Sequence, residues 1–239
     1  MRLSVSRPLR YGAAAAAVAG LLTVAAPPAG AETVPTAPST VRITEIGLDY
    51  VWVSFVDRAT NEDGFDVQRR SPGGGFTDVG GIRDHRTGQP QATGWSYSRQ
   101  VGWPSSGGYY CYRVRAWNEA GSGNSAEVCP PKADLVVGSG VSLSPNPPPS
   151  GQAFTASWTV CNDGGSPSGP FYDTAQLDGD LTSIGQVSSI LPGACRARSA
   201  RFSDGVLGGA HRIDVRLDVF SSVTESSETN NTKVRTWFT

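Results

Sequence analysis

The sequence predicts an all-β protein built from two consecutive β-sandwiches. Three observations carry the prediction. Short runs of alternating apolar and polar residues recur roughly every ten positions, divided by Gly, Pro, Asn and Asp turn residues. The chain holds 29 Gly and 17 Pro while only 17% of its residues are charged, the balance of a loop-rich exported β protein. The four cysteines fall in two pairs on either side of Pro130-Pro131-Lys132-Ala133. At 239 residues the chain is one large β domain or two ordinary ones, and the proline boundary favours two.

The N-terminus reads as a targeting segment. Arg2, Arg7 and Arg10 form a basic region, Gly12 to Ala26 an apolar region too short for a comfortable membrane span, and Ala29-Gly30-Ala31 a small-residue cleavage motif. Residues 1–31 are therefore expected to be a signal peptide cleaved after Ala31, and a retained anchor is the reading set aside. A linker over 32–39, a sandwich over 40–130, a stiff linker over 131–133 and a second sandwich over 134–239 complete the expected organisation. With 20 basic against 21 acidic residues and no long run of either sign, nothing marks a nucleic-acid or anionic-membrane surface.

In the first sandwich, Thr40 to Ile46 is a short strand. Leu48 to Val56 is the next, with Val51, Val53 and Phe55 on one face and Trp52, Ser54 and Val56 on the other. A polar turn over Asp57 to Gly64 leads to Phe65, Val67 and Arg69, and Ser71-Pro72-Gly73-Gly74-Gly75 ends that strand. Phe76, Val79 and Ile82 mark a fourth strand, a charged and Gly-rich loop runs from Arg83 to Thr93, and Trp95 to Val101 is a fifth. The last two strands form a hairpin over Tyr109 to Cys129. A turn centred on Ala120 pairs residues whose numbers sum to 240, so Cys111 faces Cys129, Arg113 faces Glu127, Arg115 faces Ser125 and Tyr112 faces Val128. That puts a disulfide, an Arg113–Glu127 ion pair and an outward row of Arg113, Arg115 and Trp117 on one face, with Trp117 stacking on Arg113 or Arg115.

Residues 36–131 resemble a bacterial fibronectin type III domain. The residues that carry the resemblance are Asn61-Glu62-Asp63-Gly64-Phe65-Asp66-Val67-Gln68-Arg69-Arg70 and Tyr110-Cys111-Tyr112-Arg113-Val114-Arg115-Ala116-Trp117-Asn118, followed by Gly121 and Ser125. Phe55 stands where the family has a core Trp, and Trp52 falls on the opposite parity.

The second sandwich opens with Asp134 to Val137 and a proline-rich turn over Ser144 to Gly151. Phe154, Ala156, Trp158 and Val160 alternate with Thr155, Ser157, Thr159 and Cys161. Asn162-Asp163-Gly164-Gly165 turns the chain, Phe171 to Leu177 is a strand closed by Asp178-Gly179-Asp180, and Val187, Ile190 and Leu191 lead to Pro192-Gly193. Cys195 to Phe202 follows, then Ile213, Val215, Leu217 and Val219 on one parity. Lys233 to Phe238 comes last, with Val234, Thr236 and Phe238 read as inward. This half resembles the cell-adhesion-related CARDB domain, which implies an immunoglobulin-like sandwich. The match rests on Ala133 to Val137, on Trp158 to Gly164, on Leu191-Pro192-Gly193, and on Leu217-Asp218 with Val223 to Asn231. Asp173 stands where the family has an aliphatic core residue.

Export favours bridges over free thiols, and of three possible connectivities the local one, Cys111–Cys129 and Cys161–Cys195, is expected because the Pro130-Pro131 boundary separates the pairs. His85 and His211 lack a nucleophile elbow, and Asp173, Asp178, Asp180 and Asp204 read as solvated surface acids rather than a glycosidase pair. Asp218, Glu225, Glu228 and Asn230, with Asn231, form an oxygen-rich run. A hard cation such as Ca²⁺ wants six to eight oxygens, but the spacing matches no EF-hand, and a tight loop held by backbone amides is the competing reading. No other cofactor is expected. Trp52, Arg113, Arg115 and Trp117 are the candidate ligand contacts. The reading is a secreted, monomeric, non-enzymatic binding or adhesion protein that meets an extracellular protein or polysaccharide through loops or sheet faces, with no membrane contact once its signal is removed. The alternative is an accessory carbohydrate-binding or spacer protein for extracellular polysaccharide hydrolases.

Overall fold

The computed structural model of the chain describes residues 32–83, 93–104 and 108–239. The expected signal segment 1–31, His85 and most of the loop that carries it lie outside the described residues. Among the described residues every regular element is a strand. The first sandwich comprises β1 (Ser39–Ile46), β2 (Tyr50–Val56), β3 (Gly64–Arg70), β4 (Thr77–Arg83), β5 (Ser96–Gly102), β6 (Cys111–Asn118) and β7 (Gly121–Asn124). One sheet runs β1-β2-β5 and the other β4-β3-β6-β7, all antiparallel.

The alternation in β2 explains this core. Val51, Val53 and Phe55 are buried while Trp52, Ser54 and Val56 are half-buried on the opposite face. Phe55 meets Phe65 across the sandwich at 5.0 Å between ring centroids, and Val67, Val101, Tyr112 and Val114 close around them. An indole does reach this core, from Trp103 after β5, edge-on to Tyr110 at 5.7 Å.

The hairpin register departs from the sum-of-240 pairing over β7. Asn118 pairs with Gly121, Trp117 with Ser122, Ala116 with Gly123 and Arg115 with Asn124, one residue short of expectation. Side-chain bonds cause the shift. The Asn118 Oδ1 accepts from Ala120 and Gly121 amides, tightening the turn to two residues. Ser125 then restores the count: its amide donates to Val114 O and its Oγ accepts from Val114 N, so it occupies a bulge. Beyond the bulge Tyr112 pairs with Val128, and Cys111 is joined to Cys129.

The second sandwich comprises β8 (Leu135–Val137), β9 (Ser142–Ser144), β10 (Phe154–Asn162), β11 (Phe171–Leu177), β12 (Asp180–Val187), β13 (Cys195–Phe202), β14 (Ala210–Arg216) and β15 (Thr232–Phe238). One sheet runs β13-β10-β8 with β9 also on β10, and the other β12-β11-β14-β15. Cys161 and Cys195 are direct partners in the β10–β13 ladder and are disulfide-bonded. Phe154, Trp158, Phe171, Phe202, Ile213 and Val215 are among the residues that fill the core, and Phe154 stacks on Phe202 at 4.8 Å.

Two corrections concern this half. The sequence reading did not assign β9 or β12 as strands. In β15 the inward parity is the reverse of the expected one. Trp237 is buried, while Val234 is 42% and Phe238 72% exposed. Both parities of β15 carry apolar side chains, so alternation does not decide. The decisive contact is Trp237 against Phe154, 5.7 Å apart and edge-on.

The turn after β10 grips the start of this sandwich. Asn162, fully buried, accepts from Asp134 and Gly164 amides and donates to the Ser166 and Ile190 carbonyls, so all four hydrogen-bonding positions of its amide are used. Gly165 N donates to Lys132 O and Ser166 Oγ to Pro131 O.

Candidate functional site

Arg113, Arg115 and Trp117 share the outer face of the β4-β3-β6-β7 sheet, and each is engaged there. Arg113 Nε donates to Gln68 Oε1 at 2.7 Å and its guanidinium lies 4.0 Å over the Phe76 ring. Arg115 Nη2 meets Asp66 Oδ2 at 2.6 Å and Asp78 Oδ2 at 2.9 Å. Asp78 also accepts from Gln68, and buried Asp66 also meets Arg83. The expected Arg113–Glu127 pair is not formed. Glu127 takes a two-pronged contact from Arg70, at 2.7 and 2.9 Å, while Arg113 is committed to Gln68 and Phe76. Trp117 does stack on a cation, but the cation is Arg83, 4.5 Å from the ring centroid. Gly64 stands opposite both residues, and its bare backbone lets Arg83 cross to Trp117; a Cβ there would meet the indole at 3.0 Å. The row is thus a brace of paired charges across three strands, β4, β3 and β6. Trp52 sits on the other sheet, half-buried, with Glu45 and Gln100 as cross-strand partners.

Two clusters of candidate metal ligands bear on metal binding. Cys111, Glu127 and Cys129 bring ligand atoms within 4.8 Å of one another, but both sulfurs are in the disulfide and offer no thiolate. The Asp218, Glu225, Glu228 and Asn230 run does gather beside β8; protein donors engage its carboxylates, while the Oδ1 atoms of Asn230 and Asn231 are buried without a partner. Asp218, at positive φ, accepts from Ser222 and Val223 amides at 2.9 and 2.8 Å. Glu225 accepts from Leu135 N and from Asn231 Nδ2, and the latter also reaches Glu228. Asn230 donates to Asp134. Burial pushes the Glu225 carboxyl up to about 7. The Asp218 and Glu225 carboxylates are taken up by backbone amides and by Asn231, the arrangement of a loop held by its own hydrogen bonds.

The other titratable candidates are structural as well. Asp173 is not a surface acid. It is 2% exposed and takes both Nε and Nη2 of Arg198, at 2.9 and 2.7 Å, from the facing sheet. Gly185 leaves the room: a Cβ there would collide with the Arg198 guanidinium. His211 has Asp178 Oδ2 at 2.8 Å from Nδ1 and Leu207 O at 2.6 Å from Nε2. Two acceptors require two ring protons, and the hydrogen bond to Asp178 is the main cause that raises its pKa.

The surface that sequence reasoning missed is the outer face of the β12-β11-β14-β15 sheet. Tyr172 on β11 and Phe220 after β14 meet edge-on, 5.5 Å apart, and are 37% and 63% exposed. Ile184, 49% exposed, lies opposite Thr174 on the same face. Along β15, Thr232, Lys233, Val234, Arg235 and Thr236 are all exposed, on both parities. The available signal was Tyr172, the polar-face partner of inward Phe171; Phe220 lies beyond the strand pattern and gave none.

Comparison with solved structures finds the CARDB domain of a Pyrococcus furiosus protein, solved in complex with di-metal ions. It is 20% identical, covers 45% of this chain and 93% of that one, and has a TM-score of 0.38. A domain of a Methanosarcina acetivorans protein is 25% identical over 45% of this chain and 92% of that one, with a TM-score of 0.37. A two-domain fibronectin type III segment of chicken tenascin is 12% identical over 84% of this chain and 99% of that one, with a TM-score of 0.36. Among curated proteins, none matches this chain. Residues 132–235, which span most of the second sandwich, match the CARDB family model.

Proposed function

We propose that this is a secreted, non-enzymatic binding or adhesion protein whose contact surface is the outer face of the β12-β11-β14-β15 sheet. The observation that carries the reading is the exposed apolar group of Tyr172, Phe220 and Ile184 on a rigid sheet. Exposed aromatics clustered with an aliphatic residue are the usual anchors of a protein contact. The paired disulfides agree with an oxidising, extracellular setting. The row of Arg113, Arg115 and Trp117 serves the reading less well, because a partner would have to break pairs already made.

The carbohydrate alternative wants aromatic rings lying flat in one plane. Tyr172 and Phe220 stand at 70° to each other and make a corner rather than a platform, which favours a protein partner. The test is saturable binding of residues 32–239 to intact cells and purified walls of the source organism, compared with a Tyr172→Ala/Phe220→Ala variant. Loss of binding by the variant, with its melting transition retained, supports the reading. Undiminished binding removes this face from consideration. Competition by soluble glycans favours the carbohydrate alternative, and turnover in a broad hydrolase screen overturns the non-enzymatic reading.

A further inference from the structure

We infer that the free edge of β15 accepts an extended peptide as an added strand, and that this peptide alternates acidic with apolar residues. The inference rests on the adhesion reading and deepens it by naming a class of partner. β15 is the last strand of its sheet, with β14 on one side. Five successive residues, Thr232 to Thr236, are exposed, so both faces of the strand are open at that edge. An edge strand presents a row of backbone donors and acceptors ready to pair with another chain.

The side chains then specify the guest. Lys233 and Arg235 point to one face, where their cross-strand partners Val215 and Ile213 are uncharged and Asn146 is the polar neighbour of Arg235. Val234, Thr236 and Phe238 point to the other face. The charges nearest that second face are largely matched or basic: Asp214 is held by Arg212, and Arg216 is exposed. Successive residues of a strand alternate between faces, so a guest in register sets every second side chain against the cations and the others against Val234 and Phe238. Acid on one parity and apolar groups on the other satisfy both rows.

A second copy of this chain is a poor guest. Antiparallel pairing of two β15 edges about Arg235 sets arginine against arginine with both lysines nearby, and like charges in opposition are unfavourable.

The experiment uses residues 32–239 and two synthetic peptides of 7 residues, the length of β15. One alternates glutamate with valine; the other has lysine in place of glutamate. Expected is saturable binding of the acidic peptide below roughly 1 mM, at least about tenfold tighter than the basic one. Hydrogen exchange should slow at amides between Thr232 and Thr236. Lys233→Glu/Arg235→Glu, both at exposed sites, should reverse the preference. No binding, protection elsewhere, an unchanged preference in the double variant, or equal binding of an anionic polysaccharide would each overturn the inference. If the double variant still binds cells while peptide binding is absent in the parent, this inference falls and the adhesion reading stands.

Discussion

Asp173 faces the core from β11, and Arg198 reaches it from the facing sheet across the place Gly185 leaves open. Asp173 is 2% exposed and the Arg198 side chain is largely covered, so the worth of the pair is decided by two opposed terms. Desolvating both ions costs several kcal/mol, and their attraction with two good hydrogen bonds offsets it. Removing one partner leaves the cost without the offset. Arg198→Met should therefore destabilise the second sandwich by about 3–5 kcal/mol in urea unfolding, whereas Asp173→Leu/Arg198→Met should come close to neutral. A single variant as stable as the parent would show that Asp173 is not held as a buried ion. Asn162 illustrates the same arithmetic without charge: its amide serves four backbone groups, and truncation would orphan several of them at about 1–3 kcal/mol each.

β15 carries the sharpest contrast between neighbouring residues within one element. Trp237 packs on Phe154 and lies 5.5 Å from His211, whereas Phe238 is 72% exposed. Trp237→Ala should cost about 3–5 kcal/mol, and Phe238→Ala less than about 0.5 kcal/mol. Thermal unfolding of the two variants checks the order, and the reverse order would restore the parity that alternation suggests. Strands with one apolar parity were legible from the sequence: β2 through Val51, Val53 and Phe55, and β10 through Phe154, Ala156, Trp158 and Val160. Both disulfides were legible because the Pro130-Pro131 boundary divides the four cysteines two and two. β15 was not, because valine, tryptophan and phenylalanine occupy both parities. β12 was not, because Gly185 and its polar neighbours hide the period, and that glycine answers to Arg198 on another strand. The hairpin register failed by one residue because Asn118 and Ser125 act through side-chain hydrogen bonds, which no apolar pattern records. The exposed Tyr172–Phe220 pair joins two elements and is a tertiary fact.

Across the whole molecule, two groups with raised pKa values tie folding to proton uptake. Glu225 goes from 4.5 to about 7, chiefly by burial, and His211 is raised chiefly by its hydrogen bond to Asp178. Below 4.5 Glu225 is protonated folded or unfolded and does not alter stability. As pH climbs, the unfolded chain ionises first, and the folded state loses ground until its own carboxyl ionises near 7. At about 1.4 kcal/mol per pH unit, that difference amounts to about 3 kcal/mol lost by neutral pH. The His211 contribution has the same sense, being complete below the ordinary value of 6.5 and lost as pH rises through the raised one. Stability should therefore fall between about pH 5 and pH 8, a window set by these two groups together. Glu225→Gln should flatten most of the slope. Its amide can still accept from Leu135 N, and it can donate to Asn231 Oδ1, which has no partner in the parent chain. The remaining slope should vanish in Glu225→Gln/His211→Phe, because no imidazole then titrates beside Asp178. Urea unfolding at several pH values measures all three proteins. A parent whose stability rises over this window would mean that Glu225 is ionised in its loop, held as a carboxylate by the Leu135 and Asn231 donors.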